Sequence, residues 1–331
     1  MADRTAFLTG GTGFLGRNIA EQLVKDGWQV MALARSSADT QALRDMDVAI
    51  AEGDLTDAGS VLEAMPEGCD AVFHAAAMTS VWKRQADEQR AINVGGTGNV
   101  VEAALAKKAG RLIHTSTWNV YDWTGGVIDE TTPKSGRDSW INYNRTKHEA
   151  EDVVLEAVAG RGLEAVILNP SHILGRYDTS NWARLVTMAA LGRLPGVPPG
   201  AGDFAHGVAV AKAHIAAVDK GRSGENYLLG GPHARFLELV QLVAKTAHQD
   251  RVPRMPTPAF MLRTMARVEE GAAAFTGRQP QVTPEAVEMV CADVTIRSTR
   301  AQDELGYEPS SLEKAVEDSY GWLIRAKILR S

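Results

Sequence analysis

The sequence predicts an α/β fold, a doubly wound parallel sheet with a smaller C-terminal lobe. Short β-rich apolar runs alternate with helical patterns through the first half of the chain, and a glycine-rich turn joins the first run to the first helix. With 331 residues, of which 44% are hydrophobic and 23% charged, the chain can bury such a core. The predicted strands are Thr5–Leu8, Gln29–Ala34, Val48–Ala51, Ala71–His74, Arg111–Thr115 and Ala165–Leu168.

Helical patterns fill the intervals between these runs. The first, Asn18–Lys25, ends before Gly27, and the two longest are Asp87–Ala106 and Ser139–Ala159. Because parallel strands need crossover connections, the alternation predicts βαβ units, with ligands outside the carboxyl ends of the strands. The segments that follow each strand are therefore the places to look for functional residues.

A glycine-rich segment between the first strand and the first helix is the clearest functional signal. Glycine allows a tight turn and a close approach of the backbone to a ligand, while free N–H groups at the helix start attract a phosphate. In this strand–turn–helix context the segment predicts a dinucleotide site, although a tight turn without a ligand would also use glycine. The predicted contacts are Gly10, Thr12, Gly13, Phe14, Leu15 and Gly16.

The end of the second strand indicates which dinucleotide is bound. An acidic residue there binds the ribose hydroxyls of NAD, whereas an arginine accommodates the 2′-phosphate of NADP. The sequence has Ala34 followed by Arg35, so NADP(H) is favoured and NAD(H) is the alternative cofactor. Arg35 could also be a surface arginine that binds no ligand. After the third strand, Asp54 could contact the adenine or cap a helix, and Asp57 is the better cap candidate.

Hydroxyl groups follow the fifth strand at Thr115, Ser116 and Thr117, where they could bind a substrate carbonyl. Tyr143 and Lys147 are spaced to share one face of the helix that follows. A phenol titrates near 10, so a nearby cation would help it to act as an acid or base near neutral pH. Neither pattern is specific by itself.

Together these residues resemble the extended short-chain dehydrogenase/reductase superfamily, the NAD-dependent epimerase/dehydratase family. One similar motif is the glycine-rich segment Thr9–Gly16, called the glycine turn below. The others are Gly53-Asp54-Leu55, His74-Ala75-Ala76, Asn93-Val94-x-Gly96-Thr97, Ser116-Thr117, Tyr143-x-x-x-Lys147 and Asn169-Pro170-Ser171. Later motifs resemble the branch of dihydroflavonol reductases and related ketone or aldehyde reductases: Gly224-Glu225-x-Tyr227-x-Leu229-Gly230-Gly231, Thr276-Gly277-Arg278-x-Pro280 and Glu304-Leu305-Gly306-Tyr307.

The resemblance implies a hydride transfer with Tyr143 as the acid/base. Lys147 would lower the pKa of Tyr143 and hold the nicotinamide ribose, while Thr117, with Ser116 second, would bind the carbonyl. The further cofactor contacts that we expect are Arg35, Asp54, Leu55, Ala75, Ala76, Asn93, Thr115, Pro170 and Ile173. The resemblance also implies a homodimer built on the helices Asp87–Ala106 and Ser139–Ala159.

We expect residues 1–175 to form a Rossmann-type domain that binds the dinucleotide and carries the catalytic residues. Residues 176–331 would form mainly the substrate lobe, from which the chain could return to the sheet. One segment departs from the family pattern: relatives usually have two acidic residues in the stretch that here reads His206-Gly207-Val208-Ala209-Val210-Ala211. How this segment anchors the lobe is therefore open.

Tryptophans suggest the class of substrate. Five of the seven lie in segments expected near the carboxyl edge of the sheet: Trp82, Trp118, Trp123, Trp140 and Trp182. A site lined by indoles suits an apolar or ring-bearing carbonyl compound better than a sugar diphosphate. We therefore assign Trp82, Trp118, Trp182 and His172 to substrate binding, with core packing or a dimer contact as the alternative.

Composition excludes several other classes. A net charge of −6 argues against nucleic acid as a partner, and no run of eighteen apolar residues could span a membrane. Cys69 and Cys291 are interpreted as reduced core thiols of a cytoplasmic protein without a signal peptide, and the scattered histidines predict no metal site. The amphipathic stretch Met255–Phe275 is interpreted as a packed helix, with a pocket wall or a membrane-surface helix as alternatives.

The sequence therefore predicts a cytoplasmic NADP(H)-dependent reductase of ketones or aldehydes, or the reverse alcohol dehydrogenase. Two alternatives stay open at this point. One is a nucleotide-sugar epimerase or dehydratase that holds NAD tightly. The other is a sensor that binds a dinucleotide without turnover, against which the set Thr117, Tyr143 and Lys147 argues, since a sensor needs no proton donor.

Overall fold

The structure is a computed structural model that describes residues 4–179 and 181–329. Its strands in these ranges are β1 Thr5–Thr9, β2 Gln29–Ala34, β3 Ala49–Glu52, β4 Ala71–His74, β5 Leu112–Thr115, β6 Val127–Ile128, β7 Ala165–Pro170, β8 His172–Leu174, β9 Ala201–His206, β10 Asn226–Leu229, β11 His233–Arg235 and β12 Asp293–Ile296. Its α-helices there are α1 Phe14–Lys25, α2 Gln41–Arg44, α3 Ala58–Ala64, α4 Ala86–Arg90, α5 Gly96–Ala106, α6 Asn142–Arg161, α7 Asn181–Ala190, α8 Gly207–Lys220, α9 Phe236–Thr246, α10 Ala259–Thr276, α11 Pro284–Cys291 and α12 Leu312–Arg325.

Seven parallel strands form the main sheet in the order β10-β7-β5-β4-β1-β2-β3. One apolar core lies between this sheet and α1 and α8, and a second lies between the sheet and α3, α5 and α6. Helices on both faces explain why the central strands are almost continuously apolar. The doubly wound α/β fold is thus confirmed, and its strand order reverses between β1 and β4, where such folds bind ligands.

The six strands predicted from the sequence are all present, with small differences at their ends. β1 extends to Thr9 and β7 to Pro170, while β3 starts one residue later than predicted. The predicted helix Asp87–Ala106 is divided by a π-helical segment, Ala91–Gly95, between α4 and α5. The first helix begins at Phe14, earlier than its apolar pattern indicated, because the glycine turn itself forms the helix start.

The C-terminal half contributes to both parts of the fold. β10 pairs with β7 at the edge of the main sheet, and α8 covers one of its faces. A second sheet has the order β11-β9-β12-β6, with β8 paired to β9. A further core packs α7, α9 and α12 together. The division of the chain at residue 175 stays a prediction.

The segment that lacks the usual acidic residues obtains a carboxylate from elsewhere in the chain. Asp318, on α12, lies with its Oδ2 3.0 Å from Nε2 of His206. The same oxygen accepts a hydrogen bond from the backbone N–H of Arg176 at 3.1 Å. Asp318 therefore links the C-terminal helix to the residue that precedes α8.

Two further expectations concern the cysteines and the membrane. Both thiols are free, but only Cys69 lies in the core; Cys291 is half-buried at the end of α11, which corrects the expectation of two core thiols. Within the described ranges, no helix combines the length and apolarity that crossing a membrane requires.

Candidate active site

The glycine turn between β1 and α1 leaves room that a larger residue would fill. Gly10 has φ +74°, and a Cβ there would lie 2.5 Å from the backbone N of Ala76. A Cβ on Gly16 would lie 2.0 Å from the carbonyl oxygen of Gly10. The N-cap Gly13 makes no side-chain cap and the first turn of α1 has no acidic residue, so its N–H groups can receive a phosphate. This geometry fits a dinucleotide.

A cavity of about 350 Å³ lies beside this turn, at the carboxyl ends of β5 and β7. The sequence-predicted residues that line it are Gly10, Gly13, Phe14, Leu15, Gly16, Ala75, Thr115, Ser116, Thr117, Tyr143, Lys147, Pro170, Ile173 and Trp182. Residues that line it without having been predicted are Ala77, Thr79, Ser171 and Asp178. The structure therefore brings the predicted catalytic residues and the glycine turn to one cavity.

Tyr143, near the start of α6, presents a protonated phenol to this cavity. Burial raises the pKa of Tyr143 to about 12, and a hydrogen bond with the hydroxyl of Thr117 opposes the shift. Lys147, which was predicted to lower this pKa, is not among the causes of the shift, and its ammonium donates to the carbonyl oxygen of Thr115 at 2.7 Å. At neutral pH the group is thus an acid that can donate a proton.

Lys147 is itself buried, with 2% of its surface exposed. Burial lowers the pKa of Lys147 to about 8, and the carboxylate of Glu151 opposes the shift. Its ammonium lies on the cavity and keeps a fixed direction through the bond to Thr115. A desolvated, positioned cation of this kind can stabilise a negative charge that develops on a neighbouring ligand.

A buried polar network supports the strand end that carries Thr117. Glu151 accepts hydrogen bonds from Nζ of Lys134 at 2.5 Å and from Nδ2 of Asn169 at 2.7 Å. The same amide of Asn169 lies 3.1 Å from the carbonyl oxygen of Thr117, and Asn226 donates to its Oδ1 at 2.8 Å. These contacts fix the backbone of Thr117.

Six predicted cofactor residues lie outside the cavity lining: Thr12, Arg35, Asp54, Leu55, Ala76 and Asn93. Arg35 is exposed after β2, and its charge helps to lower the pKa of Asp54, which is lowered mainly by hydrogen bonds from Thr56. The side chain of Asn93 accepts a hydrogen bond from the N–H of Met78 at 2.7 Å and donates one to its carbonyl oxygen at 3.0 Å. These two bonds order the segment after β4. Leu55 packs against Gly96.

Thr12 and Ala76, two of these six residues, lie at the glycine turn. Thr12 is half-exposed on the turn, and the backbone N of Ala76 lies against Gly10. Asp57, not Asp54, caps α3: its Oδ1 accepts the N–H of Gly59 at 2.9 Å, as predicted.

A family model supplies the decisive comparison. It describes the NAD dependent epimerase/dehydratase family and matches residues 6–230. The chain belongs to this family. With reductases among its relatives, it is an NAD(P)-dependent enzyme of the oxidoreductase type.

Three family relatives are similar over nearly the whole chain. The chain is 32% identical to sterol demethylase protein B of Methylococcus capsulatus, over 96% of this chain and 98% of the relative. It is 30% identical to a putative dihydroflavonol 4-reductase of Synechocystis, over 96% of this chain and 93% of the relative. It is 32% identical to a 4-hydroxy-2-methyl-3-oxo-4-farnesyl-3,4-dihydroquinoline-1-oxide ketoreductase of Stigmatella aurantiaca, over 91% of both.

Solved structures give the same fold. The crystal structure of gox2253 has a TM-score of 0.85 at 29% identity, over 99% of this chain and all of that one. UDP-glucose 4-epimerase of Thermotoga maritima has a TM-score of 0.77 at 19% identity, over 98% of this chain and 99% of that one. The second likeness concerns the fold alone.

The tryptophans of this family member do not surround the cavity as expected. Of the five, within the described ranges, only Trp182 lines it. Trp118 is 3% exposed and packs in the core against Trp123 and His172, because the 3₁₀ turn after β5 directs it inward. Trp82 lies beside the Arg84 guanidinium, and Trp140 is largely exposed to solvent.

His172 belongs to an aromatic cluster behind the cavity wall. Its ring centroid lies 4.9 Å from that of Trp182 and 5.9 Å from that of Phe236. Burial lowers the pKa of His172 to about 4, so the imidazole is neutral at physiological pH. His172 thus supports Trp182, and the cavity lining does not include it.

Sequence reasoning missed several residues of the site. One of them is Ser171: like the predicted Ser116, it has a side-chain hydroxyl buried at the cavity with no hydrogen-bond partner among the described residues, so a polar ligand atom can satisfy both. Ser171 follows directly after Pro170, and Glu151 lies four residues after Lys147, so their spacing was an available signal. His214 lies 2.9 Å from the hydroxyl of Thr115 but is 99 residues distant along the chain. No sequence spacing therefore indicated that His214 contacts the site.

The buried Lys147 predicts a pH dependence of stability. Its pKa is about 8 in the folded protein and 10.5 for the unperturbed group, so between these values the unfolded chain binds more protons. The free energy of unfolding should therefore rise with pH in this window, by at most about 1.4 kcal/mol per pH unit. Urea unfolding of wild type and Lys147→Met at several pH values measures the difference; a difference that does not change with pH would contradict it.

Proposed function

We propose that the chain is an NADP(H)-dependent oxidoreductase that reduces a ketone or aldehyde to an alcohol, or catalyses the reverse reaction. The observation that carries this proposal is the meeting of Tyr143, Thr117 and Lys147 with the glycine turn at one cavity. An acid, a hydrogen-bonding hydroxyl and a cation beside a dinucleotide turn are the groups that carbonyl reduction needs.

When bound, the nicotinamide cofactor supplies or accepts the hydride. In reduction, Tyr143 donates its phenolic proton to the carbonyl oxygen, and its raised pKa keeps that proton in place at neutral pH. The hydroxyl of Thr117 hydrogen bonds to the same oxygen and polarises the carbonyl group. The Lys147 ammonium, directed by the Thr115 carbonyl, would hold the nicotinamide ribose. Alcohol oxidation requires the phenolate at the start, so high pH favours it.

The cavity wall supports a hydrophobic or ring-bearing substrate. Trp182, Pro170 and Ile173 contribute apolar surface. Among the described lining residues, Lys147 is the one cation, whereas a sugar diphosphate needs further cationic donors for its phosphates. The names of two relatives, a ketoreductase and a putative dihydroflavonol 4-reductase, agree with this substrate class.

The cofactor preference is tested by fluorescence titration with NADPH and NADH. We expect Arg35→Ala to weaken NADPH binding by about tenfold to a hundredfold, the effect of one charge-assisted hydrogen bond, and to leave NADH binding unchanged. Arg325→Ala, which removes an exposed arginine of α12, is the matched control. Equal binding of both nucleotides by wild type would contradict the preference for NADP(H).

Turnover distinguishes the alternative functions. A reductase consumes NADPH in proportion to the alcohol formed from an added aromatic or aliphatic ketone. An epimerase or dehydratase would co-purify with NAD(H) and convert a nucleotide sugar without added reductant. A sensor would bind the nucleotide and turn over none of these compounds.

The proposal includes a cytoplasmic homodimer built on α5 and α6. These helices pack side by side and are joined by an ion pair between Arg161 on α6 and Glu102 on α5, at 2.8 Å for Nη2 and Oε2. They therefore offer one continuous surface to a second copy. Analytical ultracentrifugation tests the dimer, and a monomer at micromolar concentration would contradict it.

A further inference from the structure

Helix α10 (Ala259–Thr276) exposes large apolar side chains. Of its residues only Ala266 and Ala273 are buried. Phe275 is 94% exposed and Phe260 68% exposed, and three further apolar side chains of the helix are also exposed: Met261, Met265 and Val268. The sequence-based interpretation as a packed helix with its apolar face inward is therefore not what the structure shows.

These exposed residues share one face of the helix. At about 100° per residue, Phe260, Met261, Met265, Val268 and Phe275 fall within an arc of about 140°. The buried Ala266 and Ala273 lie on the opposite side. The small residues thus attach α10 to the protein, and the large apolar ones form a continuous stripe toward solvent, the reverse of an ordinary surface helix.

The charges around this stripe are mainly positive, although the whole chain is acidic. The acidic residues nearby are engaged. Glu269 accepts two backbone N–H groups, Glu270 and Glu285 lie 3.1 and 3.7 Å from Lys83, and Glu288 lies 4.0 Å from Arg263 of α10. Four exposed arginines have no ion pair within the described part of the chain: Arg251, Arg254, Arg267 and Arg278. By helical position Arg267 lies at one edge of the stripe, and Arg254 and Arg278 lie in the segments before and after α10.

α10 is also attached to elements that border the active-site cavity. Arg84, in the segment after β4, donates to the carbonyl oxygen of Ala274 at 2.9 Å. Arg184, on the helix that carries Trp182, donates at 2.9 Å to Oε1 of Gln281, whose backbone N–H in turn donates to Glu269 of α10 at 2.7 Å. The exposed stripe therefore lies on the part of the molecule that contains the cavity.

We propose that α10 docks on an anionic lipid bilayer, lying in the plane of its surface. An apolar stripe bordered by arginines is what such a surface binds: the side chains of Phe260 and Phe275 enter the acyl boundary, and the arginines contact anionic headgroups. A second copy of the chain fits this surface less well, because a two-fold contact would bring like-charged arginines together. The inference does not depend on the proposed reaction.

The test is flotation of the purified chain with vesicles of phosphatidylcholine, with and without phosphatidylglycerol. We expect flotation with the phosphatidylglycerol vesicles, weakened by salt. The double variant Phe260→Ser/Phe275→Ser should lower the partition coefficient at least about tenfold. The matched control is Leu62→Ser/Ile328→Ser, which changes two exposed apolar side chains on other elements and should bind as wild type does.

Electrostatics are tested separately with Arg254→Gln/Arg267→Gln. About 1 kcal/mol per arginine near an anionic surface corresponds to a loss of about tenfold or more for the pair, with a reduced dependence on salt. The far-UV circular dichroism spectrum and the midpoint of urea unfolding should be unchanged in all variants, which confirms folding. The proposal is overturned if the chain does not float with vesicles at low salt, or if Leu62→Ser/Ile328→Ser loses as much vesicle binding as Phe260→Ser/Phe275→Ser. It is also overturned if ultracentrifugation shows a dimer that Phe260→Ser/Phe275→Ser converts to a monomer.

Discussion

Replacing Tyr143 by phenylalanine is expected to lower kcat for carbonyl reduction by about 10²–10⁴-fold, the usual contribution of a positioned general acid. The substitution removes one hydroxyl from the cavity and leaves the ring, so NADPH affinity should change by only a few-fold. Stopped-flow measurement of NADPH oxidation under single-turnover conditions would report the chemical step directly. A titration with NADPH on the same sample verifies that the site still forms.

Tyr121→Phe is the matched control. Tyr121 is also buried, at 1% exposure, but its hydroxyl has no partner among the described residues and it is absent from the cavity lining. Removing an unsatisfied buried hydroxyl is neutral or stabilising, so kcat should stay at the wild-type value. If Tyr143→Phe retained more than about a tenth of wild-type kcat, another group would have to supply the proton.

Replacing Gly16 by alanine is expected to lower NADPH affinity by about tenfold to a hundredfold. The new Cβ would lie 2.0 Å from the carbonyl oxygen of Gly10, a contact that only a movement of the backbone can relieve. Such overpacking costs about 1–3 kcal/mol, and the movement displaces the N–H groups that receive the phosphate. Fluorescence titration measures the affinity, and urea unfolding measures the stability.

Gly98→Ala supplies the contrast for this variant. Gly98 lies inside α5, and no atom is within 4 Å of the position its Cβ would take. Alanine is the better helix former, so the free energy of unfolding should rise by about 0.5–1 kcal/mol with unchanged NADPH affinity. Wild-type affinity in Gly16→Ala would mean that the turn tolerates a side chain and does not form the phosphate site.

The parallel sheet was predictable because its information is local. A strand buried on both faces has to be an apolar run, and parallel pairing requires a helix before the next strand, so the alternation is visible in the residues themselves. The ends of elements were less predictable. β7 continues through Pro170 because it pairs with β10, which lies more than fifty residues further along the chain.

The candidate site was predictable where its members are close in sequence. The glycine turn, the hydroxyls after β5 and the pair Tyr143 and Lys147 each carry a spacing that limits their geometry, and the structure brings them to one cavity. The tryptophans were not predictable. Whether Trp118 points to the cavity or to the core depends on the 3₁₀ turn after β5 and on the aromatic partners that surround it.

By itself the sequence determined the doubly wound α/β fold, the glycine turn and the placing of Tyr143 and Lys147 on one helix, because short-range spacing and apolar periodicity encode them. Only the tertiary structure decided the electrostatics of the site and the exposure of α10. The pKa of Tyr143 is raised because burial outweighs any stabilisation of its charge, and Lys147 faces the Thr115 carbonyl. The apolar stripe of α10 faces solvent because small alanines, not large side chains, make its contacts with the protein. Both outcomes depend on which surfaces meet when distant segments pack, and no local pattern specifies that.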